Sequence, residues 1–195
     1  KVTKRLPVHD HAYWGPSFSD KEIGLLIDDQ KKRLELDGCN VNHVSDITEV
    51  AKKTAVEIEQ GKVVGWFQGR MEWGPRALGN RSIVCDPRRA DMKDILNLKI
   101  KRRESFRPFA PSILREEVCK WFELDDDVPF MMQVYQILKD KRSKIPAVTH
   151  VDGSGRLQTV DKKNNPRYYA LINEFKNLTG VPMILNTSFN ENEPV

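Results

Sequence analysis

Three cysteines in 195 residues are too few and too widely spaced to form a disulfide framework. Cys39, Cys85 and Cys119 form no C-x-x-C pair, so a thiolate zinc site is equally unsupported. This usage suits a reducing cytoplasm, and it favours an interpretation of the three cysteines as small buried apolar residues.

Long apolar runs are also missing. No stretch approaches the roughly 20 residues of a membrane span. The first 14 residues have no apolar core and no cleavage site, which argues against a secretory signal. With 39% hydrophobic residues the chain is not typical of a disordered protein, and we expect a folded cytoplasmic domain without a membrane partner.

Positive charge is concentrated in the middle of the chain. The formal net charge is +4, but residues 62–120 hold 14 Lys+Arg against 7 Asp+Glu, whereas the rest holds 18 against 21. This segment is therefore the expected anion-binding region, for a phosphorylated small molecule or for nucleic acid.

The order of elements predicts an α/β or α+β fold. Residues 1–18 resemble a linker, and residues 19–195 are expected to form one domain. Within it we expect helices at about 19–36, 46–61 and 167–178. Strands are expected at 62–68, 83–84, 131–138, 147–151 and 182–185.

The loop GRMEWGPRALGNRS, at 69–82, places arginines among glycines after an apolar strand. Glycines let a ligand approach the main chain, and guanidinium groups match phosphate or carboxylate oxygens two at a time. Arg76 is the candidate ligand-binding residue. The alternative is a surface turn whose arginines are solvated or paired with Glu72 and Asp86.

A second basic cluster follows at Lys101, Arg103 and Arg107. If this segment is extended, the three side chains share one face and would repel one another unless an anion lies between them. The alternatives are a solvated basic segment or a nucleic-acid surface, since Phe106 and Phe109 interleave with the charges.

Two further clusters come later in the chain. His150 and Asp152 precede a Gly-Ser-Gly turn that could direct N–H groups at an anion, and Arg156 follows it. Asn186 and Ser188 follow a buried strand, where α/β sheets usually bind ligands. From the pattern alone, a histidine near a turn is more often structural, and an Asn/Ser segment after a strand is more often an ordinary turn. No metal site is convincing.

These clusters, in this order, resemble the C-terminal domain of the O-carbamoyltransferases, the family of nodulation-protein-U-like and antibiotic carbamoyltransferases. The resemblance covers nearly the whole chain. It rests on residues 13–23 (YWGPSFSDKEI), 65–83 (GWFQGRMEWGPRALGNRSI), 97–114 (NLKIKRRESFRPFAPSIL), 150–160 (HVDGSGRLQTV) and 181–195 (VPMILNTSFNENEPV).

The resemblance implies a YrdC-like fold, a twisted mixed sheet flanked by helices. It implies that carbamoyl phosphate and ATP with Mg²⁺ form carbamoyl adenylate here. A separate N-terminal, metal-binding domain, absent from this chain, would then pass the carbamoyl group to an acceptor hydroxyl. Family members usually continue beyond NEPV, so the domain is expected to be truncated at its C-terminus, and the fragment could be inactive alone.

Matching the family motifs gives each candidate residue a role. Lys101, Arg107 and Arg156 are expected to be catalytic, on phosphate and carbamoyl oxygens. The substrate-binding residues would be Arg76, Arg103, His150, Asn186 and Ser188.

Several alternatives stay open at this stage. Trp66 and Trp73 could stack on adenine or pack in the core. The chain could instead be a double-stranded RNA-binding module, although the placement of its basic residues in Gly-rich and Asn/Ser motifs makes nucleic acid the weaker prediction. A homodimer is possible, and the acceptor cannot be read from the sequence.

Overall fold

The structure is a computed structural model that describes residues 11–191. The strands are β1 (Val64–Phe67), β2 (Arg81–Cys85), β3 (Ala110–Leu114), β4 (Tyr135–Gln136), β5 (Ser154–Gly155), β6 (Gln158–Val160) and β7 (Met183–Ser188). Five of them form the central sheet in the order β1-β2-β7-β3-β6, antiparallel except between β3 and β6. A separate two-stranded sheet pairs β4 with β5.

Helices accompany this sheet, which confirms the predicted mixed α/β class. The α-helices are α1 (Asp20–Asp29), α2 (Lys31–Leu36), α3 (Ile47–Glu59), α4 (Met92–Asp94) and α5 (Pro166–Thr179). A π-helical segment, Ile95–Ile100, continues α4. The 3₁₀ turns are Arg115–Lys120, Arg142–Lys144 and Pro146–Val148.

Helices α3 and α5 pack together and supply much of the core. The Asp46 side chain accepts a hydrogen bond from the Thr48 amide, which starts α3 where the sequence predicts it. Gly180, at a φ of +74°, ends α5. The predicted helices at 46–61 and 167–178 are thus confirmed. The buried side chains of the two helices are Ala51, Ala55, Ile58, Tyr168, Leu171, Ile172 and Phe175.

The predicted helix at 19–36 differs from the structure. Ser19 and Glu22 form the expected capping box, but the helix is divided at Gln30 into α1 and α2. Neither helix has a buried residue, and Leu36 is 88% exposed. Helical spacing places Ile23, Leu26, Ile27 and Leu34 on one apolar face, and the described part of the chain buries none of these four side chains.

Two other sequence predictions are wrong. Residues 147–151 were expected to form a strand, but Pro146–Val148 is a 3₁₀ turn whose Ala147 and Val148 are buried, so the apolar run indicates burial rather than a strand. Of the cysteines, only Cys85 is buried, whereas Cys39 and Cys119 are exposed.

The predicted linker at 1–18 is described only from residue 11, and residues 192–195 of the last motif likewise lie outside the described residues. In the described part, the Tyr13 hydroxyl donates to the Leu78 carbonyl at 3.0 Å, and the Trp73 amide donates to the Ala12 carbonyl at 2.6 Å. Residues 12 and 13 therefore lie against the loop that leads from β1 to β2.

Gly79 gives a test of how tightly that loop is packed. It has a φ of +103°, and a Cβ there would lie 2.2 Å from the ring of Tyr168. Gly79→Ala should lower the free energy of unfolding by about 3 kcal/mol through overpacking and backbone strain. Gly24→Ala, in α1 with nothing within 4 Å, should raise it by about 0.5–1 kcal/mol. Urea denaturation measures both, and an equal effect at the two positions would contradict the described packing.

Candidate anion-binding site

Lys101 is the most buried of the basic residues that the sequence predicts to bind anions, with 1% of its surface exposed. It directly follows the π-helical segment Ile95–Ile100, which turns its side chain toward the end of β7. Its Nζ lies 2.5 Å from the Ser188 carbonyl, 2.6 Å from the Asn190 carbonyl, and 3.1 Å from both Ser188 Oγ and Asn190 Oδ1. The structure thus brings together two predicted residues, Lys101 and Ser188, and adds Asn190.

Burial and the nearby charge of Arg103 lower the pKa of Lys101 to about 8. Both effects disfavour the charged amine, while the four oxygens around Nζ favour it. The ammonium is therefore held beside other positive charge, and an anion bound next to it would stabilise the charged form.

The segment from Lys101 to Arg107 is not the extended strand that the sequence analysis considered. Arg102 has a φ of +48°, and the Arg103 amide donates to the Asn97 carbonyl at 2.9 Å. Fully buried Asn97 also accepts from Arg103 Nε at 2.8 Å and donates to the carbonyls of Ser105 and Arg107. One buried amide thus shapes this segment, and nothing in the spacing pointed to it.

Three arginines converge near this segment, and we call Arg76, Arg103 and Arg156 the arginine trio. Burial is the largest cause that lowers the pKa of Arg156, followed by the charges of Arg76 and then Arg103. The Nε atoms of Arg76 and Arg156 are buried without a hydrogen-bond partner among the described residues. Since buried donors are normally satisfied, two such atoms among like charges indicate a place for an anion.

The other two arginines of the 69–82 loop have structural contacts. Arg81 donates to the carbonyls of Gln68, Gly69 and Asn80, and its guanidinium lies 3.4 Å from the centre of the Phe67 ring. Arg70 donates to the Trp14 carbonyl at 2.8 Å. Arg81 Nε is also buried without a partner among the described residues, but the other donors of Arg81 are engaged. Arg76 is the arginine of this loop to which the described residues give neither a hydrogen bond nor an ion pair, and it is therefore the best candidate for a ligand.

The sequence alternative paired these arginines with Glu72 and Asp86, and the structure gives both carboxylates other partners. Asp86 forms an ion pair with Arg88 at 2.7 Å. Glu72 accepts hydrogen bonds from backbone amides of its own loop.

A strip of polar side chains crosses the sheet below the loop. Asn186 Nδ2 donates to Ser112 Oγ at 3.0 Å and to the Ala77 carbonyl at 3.0 Å, and Gln158 Nε2 donates to the Leu78 carbonyl at 2.8 Å. Asn186 Oδ1 is buried without a partner among residues 11–191. The strip therefore binds the carbonyl groups of the loop, and Asn186 Oδ1 is available to accept a hydrogen bond from a ligand.

The predicted His150 and Asp152 pair is joined through Ser154. His150 Nδ1 lies 3.1 Å from Ser154 Oγ, which in turn lies 2.6 Å from the Asp152 carboxylate. Burial is the largest cause that lowers the pKa of His150, while Asp152 raises it and Arg156 lowers it. His150 is thus within electrostatic reach of the arginine trio.

A cavity of about 400 Å³ lies between the 69–82 loop and the end of β7. Its lining includes Arg76, Arg81, Ser188, Phe189 and Asn190. The site therefore joins residues that are more than 100 positions apart in sequence, because β2 and β7 are neighbours in the sheet.

Some predicted residues stay at the edge of this arrangement. Arg107 is exposed and forms an ion pair with Glu104 at 3.0 Å. Trp66 is buried, with its Nε1 donating to Gln68, whereas Trp73 is 77% exposed. Trp66 therefore has the structural role that the sequence analysis left open.

Residues 11–191 contain no group of three or more His, Cys, Asp or Glu side chains arranged to hold a metal ion. No helix in the same residues is long and apolar enough to cross a membrane.

Comparison with known proteins defines the family. The sequence profile described as the carbamoyltransferase C-terminus matches residues 55–195, so the chain belongs to this family. Nodulation protein NolNO of Sinorhizobium fredii is 47% identical over 189 residues, covering 94% of this chain and 27% of the relative. The 3'-hydroxymethylcephem-O-carbamoyltransferase of Amycolatopsis lactamdurans is 45% identical over 132 residues, covering 68% of this chain and 25% of the relative.

The chain spans about a quarter to a third of the length of these relatives and of nodulation protein NolO of Bradyrhizobium diazoefficiens, which is 45% identical. Among solved structures, YciO of E. coli has a TM-score of 0.46 and 13% identity, over 72% of this chain and 63% of that chain. A similarity of that size supports no conclusion about function.

Proposed function

We propose that this chain binds carbamoyl phosphate and ATP and converts them into carbamoyl adenylate, phosphate and pyrophosphate, for a carbamoyl transfer that is completed on the hydroxyl of an acceptor. Family membership supports carbamoyl transfer in general. The observation that carries the finer proposal is the arginine trio, in which two buried Nε atoms have no partner among the described residues.

The proposed reaction has two steps. Water first converts carbamoyl phosphate into carbamate and phosphate. A carbamate oxygen then forms a bond to the α-phosphorus of ATP as the bond to the β-phosphate breaks, which releases pyrophosphate. Both steps move negative charge between oxygen atoms, so fixed positive groups and correct positioning would supply most of the acceleration.

Each residue of the site has a place in this scheme. The arginine trio would hold the phosphate of carbamoyl phosphate, since guanidinium donors match its oxygens. Asn186 Oδ1 could accept from the carbamoyl NH₂, which would satisfy this buried atom. Ser188, which lines the cavity, and Lys101, whose Nζ contacts Ser188 from behind it, would act on the phosphates of ATP. His150 and Arg107 stay predicted contributors at the edge.

Mg²⁺ would arrive with ATP. The described residues offer no cluster of carboxylates for it, and Mg²⁺ in such sites is held largely by phosphate oxygens and water. In this proposal, the acceptor would bind to an N-terminal, metal-binding region of a longer protein, and that region would bring its hydroxyl to the carbamoyl group. A homodimer also stays a prediction.

Isothermal titration calorimetry with carbamoyl phosphate, followed by MgATP, tests the proposal on the chain itself. Carbamoyl phosphate should bind with one site per chain, and more tightly than acetyl phosphate, which carries the same phosphate but no NH₂ for Asn186. Pyrophosphate should appear only when both substrates are present.

Two results would contradict the proposal. One is equal affinity for acetyl phosphate and carbamoyl phosphate together with no pyrophosphate release. The other is tight binding of double-stranded RNA that weakens steeply with salt while neither small substrate binds, which would favour the nucleic-acid alternative.

A further inference from the structure

Glu72 accepts three backbone hydrogen bonds with a single carboxylate oxygen. Its Oε1 lies 2.7 Å from the Leu78 amide, 2.7 Å from the Asn80 amide and 3.2 Å from the Arg81 amide. These amides follow Arg76 closely in the chain. A carboxylate that accepts several N–H donors is a strong local constraint, because charge-assisted hydrogen bonds are about twice as strong as neutral ones.

The same short loop is held from the opposite side by the polar strip. Asn186 and Gln158 donate to the carbonyls of Ala77 and Leu78, at 3.0 Å and 2.8 Å. The loop is thus fixed through its amides by Glu72 and through its carbonyls by the sheet. Arg76 immediately precedes this doubly held stretch and makes no ion pair among the described residues, so the direction of its side chain depends on the loop.

We propose that Glu72 is a positioning residue, whose carboxylate fixes the loop conformation that places the Arg76 guanidinium in the arginine trio. This inference rests on the proposed function, because it gives Arg76 an anion to bind. Glu72 also lines the 400 Å³ cavity together with Arg76 and Arg81. Its carboxylate is the acidic side chain of this loop, and its charge acts on Arg81.

Glu72→Gln tests this role, with inorganic phosphate as the probe by calorimetry. Glutamine can place its one carbonyl oxygen where Oε1 lies, but it carries no charge, so the three hydrogen bonds lose their charge assistance and weaken. Phosphate affinity should fall by about tenfold. Glu57→Gln is the matched control. Glu57 lies on α3 and forms an exposed ion pair with Lys62, away from the site, so this variant should bind phosphate as tightly as the wild type.

A double-mutant cycle separates positioning from a general loss of structure. If Glu72 acts through Arg76, Glu72→Gln should have no further effect on phosphate affinity in an Arg76→Ala background. An equal loss in both backgrounds would overturn the inference, and so would wild-type affinity in Glu72→Gln alone. If Glu72→Gln does not fold, Glu72→Asp, which keeps the charge but withdraws it by one methylene, is measured in the same cycle with the same criteria.

The inference and the proposed function can fail separately. Phosphate binding that is insensitive to Glu72, beside normal carbamoyl phosphate binding and pyrophosphate release, would overturn the inference alone. A chain that binds phosphate in a Glu72-dependent and Arg76-dependent way, but releases no pyrophosphate, would overturn the proposed function alone. Absence of binding to either phosphate compound would overturn both.

Discussion

Replacement of Lys101 by methionine should reduce pyrophosphate release from carbamoyl phosphate and ATP by about 100-fold or more. Methionine preserves most of the buried volume but removes the ammonium, which is the donor shared by Ser188 and Asn190 at the end of β7. Charge-assisted hydrogen bonds are worth about 1.5–3 kcal/mol each, so loss of the group that binds the end of β7 and, in the proposed function, acts on the ATP phosphates should have a large effect. Initial rates of pyrophosphate release give the measurement.

The pH dependence of ATP affinity is the independent check on Lys101. With its pKa lowered to about 8, the amine loses its charge as the pH rises through that value, so wild-type affinity should fall between pH 7 and 9. The phosphates of ATP are already ionised in this range. Lys101→Met should show a flat profile, and Lys53→Met, at an exposed ion pair with Glu49, should keep the wild-type profile. A flat wild-type profile would argue against a charged Lys101 at the ATP phosphates.

Arg156→Met should weaken carbamoyl phosphate binding by about 10- to 100-fold while leaving the ligand-free protein at least as stable as the wild type. Burial, Arg76 and Arg103 lower the pKa of Arg156, so the fold disfavours its charged form. At neutral pH the guanidinium is fully charged, and the cost is therefore present whenever no anion is bound. Methionine removes the charge and keeps an apolar stem for packing. The lost affinity corresponds to one or two charge-assisted hydrogen bonds.

Thermal denaturation with and without carbamoyl phosphate measures both effects in one series. Bound ligand should raise the melting temperature of the wild type far more than that of Arg156→Met. The control is Arg33→Met, since Arg33 on α2 forms an exposed i,i+4 pair with Asp37. A ligand-free melting temperature that falls well below that of the wild type would mean that Arg156 stabilises the fold, against the interpretation of the arginine trio as an anion site.

Local signals predicted the elements that have strong boundaries. The side chain of Asp46 and the glycine after residue 179 identified the limits of α3 and α5 correctly, because a cap or a left-handed glycine acts within a few residues. The strand predicted at 147–151 was wrong because a short apolar segment has the same composition whether it forms a buried turn or a strand. That the apolar face of α1 and α2 is not buried could not be predicted, for a related reason. A pattern shows which side chains could be buried, but it does not show which part of the chain would cover them.

The candidate site was predictable in its residues and not in its geometry. The sequence indicated Arg76, Lys101, Arg156 and Ser188 as residue types suited to anions. Their division into roles depends on neighbours distant in the chain, such as the amide of Asn97 that shapes the Lys101–Arg107 segment. The sequence analysis did not predict Asn190 as a site residue, although a signal was present. Asn190 stands two positions after Ser188 in the same motif, and an extended chain places both side chains on one side. Glu72 had no signal, because one carboxylate in a loop is compatible with many contacts.

The position of β7 in the sheet has a consequence for the order in which the chain can fold. Residues 183–188 come late in the sequence, yet β7 lies between β2 and β3 and is hydrogen-bonded to both. Until these residues are available, β1 with β2 and β3 with β6 are two separate strand pairs with exposed inner edges. A nascent chain that ends before β7 therefore presents unpaired strand edges, which are open to pairing with other chains. Closure of the sheet and completion of the site around Lys101 should be a single late event, since the strand that joins the two halves also carries Ser188.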